Sequence, residues 1–447
     1  MFRQRPWMTL GLCALAVAMV VSGCAPTATA TPVPTVVPPP KEVVIGVALP
    51  LTGSMATSGA SCRAAAEVGA MIVNNVYPEL AKLGTPFAGE AGIPKLGGAK
   101  IRLVIGDDQG VPEKALAEAE RMITEEKVDI FVSAYSSACA ATASQVAERY
   151  GVPYIAPTVT APNLTESGYK TFFRLSPTDE LCAKNIMQFL TEMNTKNNAG
   201  ITTVASLYEN TLFGTQSDQF IKKYAAEFGF KVVASVAYPN STADLTSEIQ
   251  TLKAANPQVV IPTSYAADAL LTIRTMKDLD FAPQAIVAQG GGYYEAGWQS
   301  AVGANGDYVL CRDNFSRDLM LTKPAVKIIN DTLYEPKRTL PMDSGAARFI
   351  DAILLAADAL NRAGTVKKEA VLEALRKTDI TNKQLLLPWD GIAFDTKGQN
   401  IRAKMLILQF KNGRYWTVWP FELAVTGMKD YCPLDKIVWP LPKWSAR

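Results

Sequence analysis

The chain reads VVIGVAL at residues 43–49 and continues with PLTG at residues 50–53. The first run is apolar, rich in β-branched residues and stopped by Pro50, which is typical of a strand buried on both faces. Helical periodicity follows at residues 61–74, and another short apolar run at residues 100–106 predicts a second strand. Strand, helix and strand in this order predict a parallel pair with a crossover helix.

The same alternation continues along the chain. Further strands are predicted at 128–132, 152–155, 202–207, 231–237, 258–261 and 285–288, and helices at 113–126, 137–150, 213–228, 243–255 and 267–279. Alternating strands and helices predict parallel sheets with helices on both faces. The alternation restarts near residue 202, so we predict an α/β protein with two doubly wound lobes.

The order of elements changes in the last third of the chain. Helices are predicted at 324–334, 344–362 and 367–376, and strands at 392–394, 402–410 and 414–419. These helices and strands come after two complete strand–helix series, which indicates that the chain returns to each lobe and adds the last elements to it. We therefore expect a hinge of crossing strands and a ligand cleft beside it, with lobe 1 at 42–176 plus 313–388 and lobe 2 at 177–312 plus 389–447.

The N-terminus has the pattern of an export signal. Arg3 and Arg5 precede an apolar run at residues 7–21, which ends at Val-Ser-Gly-Cys24. This ending resembles the bacterial lipoprotein box, which implies a signal peptide at 1–23 and acylation of Cys24. The alternative is an uncleaved anchor, but the run is shorter than the ~20 residues that span a bilayer. Proline and threonine dominate residues 24–41, which predicts an extended tether between a membrane lipid anchor and an extracytoplasmic body.

Composition excludes several classes of function. Lys plus Arg number 44 against 42 acidic residues, without basic runs, so nucleic acid is a poor candidate partner. The chain contains no histidine, which removes the commonest general base and zinc ligand. Residues 167–170 fit a Ser-x-x-Lys pattern but lack the partner motifs of that chemistry. We therefore expect no enzyme activity, no metal and no cofactor.

Five cysteines lie beyond Cys24. An odd number in an exported protein allows at most two disulfides and one free thiol. Each could instead be a small buried apolar residue, and one candidate bridge joins Cys311 to Cys432. The five are Cys62, Cys139, Cys182, Cys311 and Cys432.

Several segments together resemble the type I periplasmic binding proteins for leucine, isoleucine and valine. The segments are VIGVALPLTG at 44–53, Asp107-Asp108 with Pro112, GVPYIAP at 151–157, LTESGYK at 164–170, and DLT at 244–246 with LKAANP at 252–257. The resemblance implies the monomeric solute-binding component of an ABC importer, which hands its ligand to a permease and ATPase complex. The resemblance is equally compatible with a ligand-sensing receptor of the same fold. A branched-chain amino acid is the implied ligand, with amide, urea or organic-acid solutes as alternatives.

The resemblance also implies binding residues in the first lobe. A serine at the start of the third helix meets the ligand carboxylate in that family, and this position falls on Ser137, between Ser136 and Ala138. A helix N-terminus offers free N–H groups and positive potential to an anion, although a serine there also caps helices without any ligand. A second contact is expected from the Thr158 carbonyl and from the hydroxyl and amide of Thr160.

In the first loop, where the family often has an aromatic residue, this chain has Ser58, which the resemblance implies as a ligand-binding residue of a roomier or wetter pocket. Phe213 and Tyr265 are expected as the cleft walls contributed by lobe 2, with core packing as the alternative. The family holds the ligand ammonium with an acid where this chain has Gly290, and a buried ammonium needs such a partner. Candidate substitutes are Gln289, Glu295 and Asp313, and the aromatic rings of Tyr293, Tyr294 and Trp298 could stack on a flatter ligand.

Overall fold

Five parallel strands form the first sheet of the protein, in the order β2-β1-β3-β4-β5. The computed structural model describes residues 40–447, so the predicted signal peptide, Cys24 and nearly all of the predicted tether lie outside the described residues. The VVIGVAL run lies in the second position of this sheet and is buried along its length. The strands are β1 (Glu42–Leu49), β2 (Lys100–Asp107), β3 (Ile130–Val132), β4 (Tyr154–Ala156) and β5 (Phe172–Arg174).

Seven strands form the second sheet, in the order β14-β13-β10-β9-β8-β6-β7. The five strands from β10 to β7 are parallel, and four of them, β6 to β9, were predicted, whereas β13 and β14 form an antiparallel hairpin on β10. The strands are β6 (Thr203–Glu209), β7 (Lys231–Tyr238), β8 (Val259–Thr263), β9 (Ala285–Ala288), β10 (Leu310–Asp313), β13 (Leu406–Lys411) and β14 (Arg414–Trp419). Between β10 and β13 in the chain, β11 (Asp379–Thr381) and β12 (Gly391–Ala393) pair separately.

Helices cover both faces of each sheet. One face of the first sheet packs on α1 and α13, and the other packs on α3 and α4. The second sheet likewise has two apolar cores, one containing α6 and α7 and the other α8, α9 and α10. The helices are α1 (Ala56–Asn74), α2 (Pro78–Lys82), α3 (Pro112–Thr124), α4 (Ser137–Tyr150), α5 (Asn163–Glu166), α6 (Asp179–Asn197), α7 (Leu212–Glu227), α8 (Thr246–Ala255), α9 (Ala266–Asp278), α10 (Ala296–Val302), α11 (Pro324–Ile328), α12 (Glu335–Arg338), α13 (Ser344–Ala363) and α14 (Lys368–Arg376).

The chain crosses three times between the two sheets, which both lie in one compact unit, Pro39–Arg447. The crossings follow β5, β10 and β12. Arg174, at the end of β5, exchanges backbone hydrogen bonds with Gly398 and Asn400 of the third crossing. Here we call the body around the first sheet the first lobe, and the body around the second sheet the second lobe. Ile392 and Ala403 pack in the core of the first lobe, so the third crossing lies beyond the boundary expected at residue 388.

Several elements differ from the prediction. The long helix α6 and the short strand β10 were not predicted. The helix expected at 324–334 is interrupted, because α11 gives way to a turn of π-helix at Ile329–Tyr334. The strand expected at 402–410 begins only at Leu406. No helix among residues 40–447 is both long and apolar enough to cross a membrane.

The candidate disulfide between Cys311 and Cys432 is not formed in the structure. All five cysteines in the described part of the chain are free and buried. Cys311 packs in one core of the second lobe and Cys432 in the other, so the sheet separates them. The alternative interpretation, that these cysteines are small apolar core residues, agrees with the structure.

Candidate functional site

A cavity of about 20 Å³ lies between the lobes, at the carboxyl ends of the strands. Loops at these strand ends are where doubly wound folds bind ligands. The first lobe supplies residues from the loops after β3 and β4 and from α13. The second supplies residues after β8 and β9, from β10 and from α7. The lining is Tyr135, Ser137, Thr158, Val159, Thr160, Phe213, Tyr265, Gly291, Tyr294, Arg312 and Arg348.

The first-lobe side of the cavity is the N-terminus of α4. Ser136 is the N-cap, and its hydroxyl accepts a hydrogen bond from the Cys139 amide at 3.5 Å. Ser137 is the first helical residue and lines the cavity, while Ser136 and Ala138 do not. The amides of this first turn have no partner within the helix, so an anion placed here meets both donors and the positive end of the dipole.

Thr158 and Thr160 follow β4 and also line the cavity. The Thr158 hydroxyl is used internally, because it donates to the Ala134 carbonyl at 2.9 Å. The Thr158 carbonyl, expected to contact the ligand, accepts a hydrogen bond from Arg348 Nη1 at 3.2 Å. This contact reduces what the Thr158 carbonyl can offer to a ligand donor.

Aromatic rings from both lobes form the walls. Phe213 and Tyr265, predicted as walls, lie 5.5 Å apart between ring centroids, and Tyr265 lies 6.0 Å from Tyr135 of the first lobe. Tyr294 lines the cavity too, but Tyr293 and Trp298 pack together in a core of the second lobe. Of the three aromatic residues considered for stacking, only Tyr294 is therefore placed to touch a ligand.

Gly290 lies beside the cavity without lining it. Its φ is +87°, and a Cβ built there would approach Arg312 Cζ to 2.7 Å. The guanidinium of Arg312 thus packs directly against the backbone position where the resemblance places an acid. Among the described residues that line the cavity, two are arginines and none is acidic.

The three candidate substitutes for the missing acid lie outside the lining. Gln289 is fully buried behind the loop. Asp313 accepts the Asn314 amide at 2.6 Å, and burial raises the pKa of its carboxyl to about 7. Glu295 instead joins the lobes, as described next.

Glu295 forms a hydrogen-bonded contact across the cleft, which we call the interlobe latch. It precedes α10 in the second lobe and accepts hydrogen bonds from the hydroxyls of Ser58 on α1, at 2.5 Å, and Tyr135. Burial raises the pKa of Glu295 to about 8, against the lowering effect of those two hydrogen bonds. Ser58, predicted as a ligand residue, is therefore part of the latch and does not line the cavity. A second contact, from Ser241 Oγ to Ser54 Oγ at 2.7 Å, also joins the lobes.

The two lining arginines were missed by the sequence analysis. Arg312 is on β10 and Arg348 is on α13, and they are only 1% and 0% exposed. The guanidinium carbon of Arg348 lies 5.2 Å from the centre of the Tyr294 ring, within the range of a cation–π contact. Only one local signal pointed to Arg348: it interrupts the apolar face of a helix whose other residues in that stretch are buried.

Comparison with known proteins gives a consistent result. A family model described as periplasmic binding protein matches residues 42–414. The Leu/Ile/Val-binding protein homolog 7 of Brucella suis is 27% identical over 428 residues, covering 94% of this chain and 98% of the relative.

Solved structures agree in fold. The leucine binding protein LivK of Thermotoga maritima superposes with a TM-score of 0.71 at 22% identity, covering 84% of this chain and 97% of its own. An ABC-transporter solute binding protein of Rhodopseudomonas palustris, solved with benzoate, has a TM-score of 0.68 at 18% identity, covering 84% and 95%.

Proposed function

This chain belongs to the periplasmic binding protein family, and we propose that it captures a small solute in the cleft between its lobes and delivers it to an ABC importer. The observation that carries the proposal is a cavity at the carboxyl ends of the strands, lined from both lobes and beside three chain crossings. Proteins of similar fold have been solved with benzoate and named for leucine, which sets the range of solutes at amino acids and small organic acids.

Capture proceeds by closure of the lobes. The cavity has room for no more than about two water molecules. A solute therefore enters when the lobes separate, first meeting Ser137 and Thr160 on the first lobe. Closure then brings Phe213 and Tyr265 onto the solute and forms the interlobe latch, so that binding shifts the population toward the closed form. The solute leaves unchanged, since capture involves no reaction.

To deliver its solute, the protein must be held close to the importer in the membrane. Acylation of Cys24 would hold the protein on the outer face of the cell membrane, with residues 24–41 as the tether. The closed monomer would then dock on the permease of the importer. Sensing by a receptor uses the same closure, but no feature of the cleft favours it over import.

A screen for bound solutes tests this function. The mature protein is mixed with amino acids, amides, ureas and short organic acids, and a rise in melting temperature identifies a ligand. Small-angle X-ray scattering should then show a smaller radius of gyration with that ligand than without it. A ligand that binds without any contraction would contradict capture by closure.

Substitutions in the first lobe test the site itself. Ser137→Ala and Thr160→Ala each remove a hydroxyl expected to meet an anionic group, at a cost of about 1.5–3 kcal/mol, or roughly ten- to hundred-fold in affinity. Ser144→Ala is the matched control, since Ser144 is buried in the same helix and bonds only the Ala141 carbonyl. Equal affinity of all three variants and the wild type, measured by calorimetry, would contradict the placement of the site.

A further inference from the structure

The cavity contains two buried cations whose hydrogen-bonding capacity is only partly used. Arg312 Nε and Nη1 and Arg348 Nη2 are buried, and none has a hydrogen-bond partner among the described residues. Both arginines are among the residues that line the cavity. Buried polar groups of this kind are normally satisfied, so these donors are available to a ligand.

The surrounding carboxylates do not accept hydrogen bonds from these donors. Arg312 and Arg348 oppose the burial that raises the pKa of Asp313, and Arg312 does the same for Asp179, but neither acid is a hydrogen-bond partner of the free donors among the described residues. Among the described residues, Arg312 forms an ion pair only with Asp179, whose Oδ1 lies 4.0 Å from Nη2, and this pair leaves the Nε edge of the guanidinium free. Within the described residues, Arg348 has no carboxylate oxygen within ion-pair distance. Its other contacts are with neutral oxygens of Ser344, Thr158 and Ser176. A buried charge without a partner is strongly unfavourable, and an anionic ligand supplies that partner.

The same arrangement disfavours an ammonium group. An ammonium needs carbonyl or carboxylate acceptors, but the Thr158 carbonyl is bonded to Arg348 and no acid lines the cavity among the described residues. At the position of Gly290, the space that a carboxylate side chain would need is filled by the Arg312 guanidinium. An α-amino acid bound here would hold its ammonium beside two cations.

The walls favour a flat apolar body. Tyr135 belongs to the first lobe, and Phe213 and Tyr265 belong to the second, so opening separates these rings and a planar group can enter between them. Aromatic rings pair favourably when offset or tilted at 4.5–7 Å between centroids. The Tyr265 hydroxyl is buried and has no hydrogen-bond partner in the described residues, which adds one more donor for an anion.

We propose that the solute is a small aromatic carboxylate without an amino group, its ring held between Tyr135 and Tyr265 and its negative charge facing Arg312 and Arg348. This inference rests on the proposed function of the cleft and names its solute class.

The test compares matched pairs of ligands by titration calorimetry on the mature protein freed of bound solute by unfolding and refolding. The pairs are 3-phenylpropionate with L-phenylalanine, phenylacetate with L-phenylglycine, and benzoate with benzamide. We expect at least one acid to bind, and its amino or amide counterpart to bind at least a hundred-fold more weakly. Amino acids that bind more tightly than their deaminated counterparts would overturn the inference and leave solute capture intact.

Variants test whether the arginines are responsible. Arg312→Gln and Arg348→Gln should each weaken binding of the acid at least ten-fold. Arg317→Gln should not, because Arg317 lies beyond β10 and outside the cavity lining. Where a glutamine variant fails to fold, Arg312→Lys or Arg348→Lys keeps the charge but loses the fork of donors, and should weaken the acid while preserving its preference over the amine. Unchanged acid affinity in the folded variants would overturn the role of the arginines.

A complete lack of binding in these pairs also overturns the inference. Solute capture as such is then decided separately by the wider panel of amides, ureas and short organic acids. A thermal shift and contraction with one of those solutes would uphold capture, and their absence throughout would contradict it.

Discussion

Closure of the lobes should take up a proton at Glu295, and the Glu295→Gln variant isolates this effect. In the closed structure the carboxyl is buried between Ser58 and Tyr135, and burial raises its pKa to about 8 from an ordinary 4.5. In an open form, water reaches the carboxyl and the pKa falls back toward 4.5. Asp343 and Arg338, the other charged groups that act on Glu295, have opposite effects, with Asp343 raising the pKa and Arg338 lowering it.

The sign follows from proton linkage. Between pH 4.5 and pH 8 the closed form holds a proton that the open form has lost, so closure becomes less favourable as the pH rises. Each pH unit costs about 1.4 kcal/mol, or about 5 kcal/mol over the whole interval. Ligand affinity includes the free energy of closure and should fall up to about ten-fold per pH unit, becoming level above pH 8.

Glutamine keeps the shape of the side chain and an oxygen that accepts from both hydroxyls, but it does not titrate. The assay is calorimetry from pH 5.5 to 8.5 with a ligand whose own charge is constant in this range. The slope of affinity against pH should be smaller in Glu295→Gln than in the wild type by about one decade per pH unit. Parallel profiles for the two proteins would refute the idea that Glu295 takes up a proton on closure.

A buried acid away from the cleft provides the control. Asp351 lies within the first lobe, where it accepts the Leu386 and Leu387 amides, and burial raises its pKa to about 7. Asp351→Asn should change how the free energy of unfolding depends on pH while leaving the pH dependence of ligand affinity unaltered. A change in the affinity profile of this variant as well would mean that the effect is not specific to the latch.

Three further predictions concern the loop, the thiols and the anchor. Gly290→Ala should lower both the melting temperature and the ligand affinity, because alanine at φ +87° costs about 1–2 kcal/mol and its Cβ displaces Arg312. Gly364→Ala is the control: its φ is +62° and the space around it is open, so it should lower the melting temperature alone. The mature protein should show no thiol reactive toward Ellman's reagent when native and five when denatured, since Cys62, Cys139, Cys182, Cys311 and Cys432 are free and buried; fewer than five would indicate a disulfide. Cys24→Ser should abolish palmitate labelling, and continued labelling would rule out acylation at this residue.

Local sequence pattern predicted most of the sheet architecture. Apolar runs such as residues 43–49 and 285–288 lie within a residue of the observed strands, because a strand buried on both faces must be apolar throughout. The helix α4 was predicted at its observed bounds from its periodicity. Helix α6 was missed, although Thr178 caps its N-terminus and Asp179 and Glu180 occupy its first turn, which is a recognisable start signal.

Strand β10 and its arginine could not be predicted in the same way. The strand is only four residues, Leu310–Asp313, and half of it is charged, so its sequence is typical of a loop. Its extended conformation comes from pairing with β9 on one side and β13 on the other, which are contacts distant in the chain. Arg348 was missed because an arginine on a helix is normally exposed. Its place on an otherwise apolar helix face was a weak signal, and tertiary packing was needed to show that it is buried.

The glycine loop after β9 connects these observations to the choice of solute. The family that this chain resembles has an acid at the position of Gly290, and the glycine brings no negative charge to this side of the cleft. The absence of a side chain there also leaves the space that the Arg312 guanidinium occupies, 2.7 Å from where a Cβ would stand. One position therefore changes the local charge from negative to positive, while the anion-binding N-terminus of α4 stays in place with Ser137. In such a cleft both lobes attract a negatively charged ligand. We therefore expect the protein to select carboxylates without an amino group over amino acids.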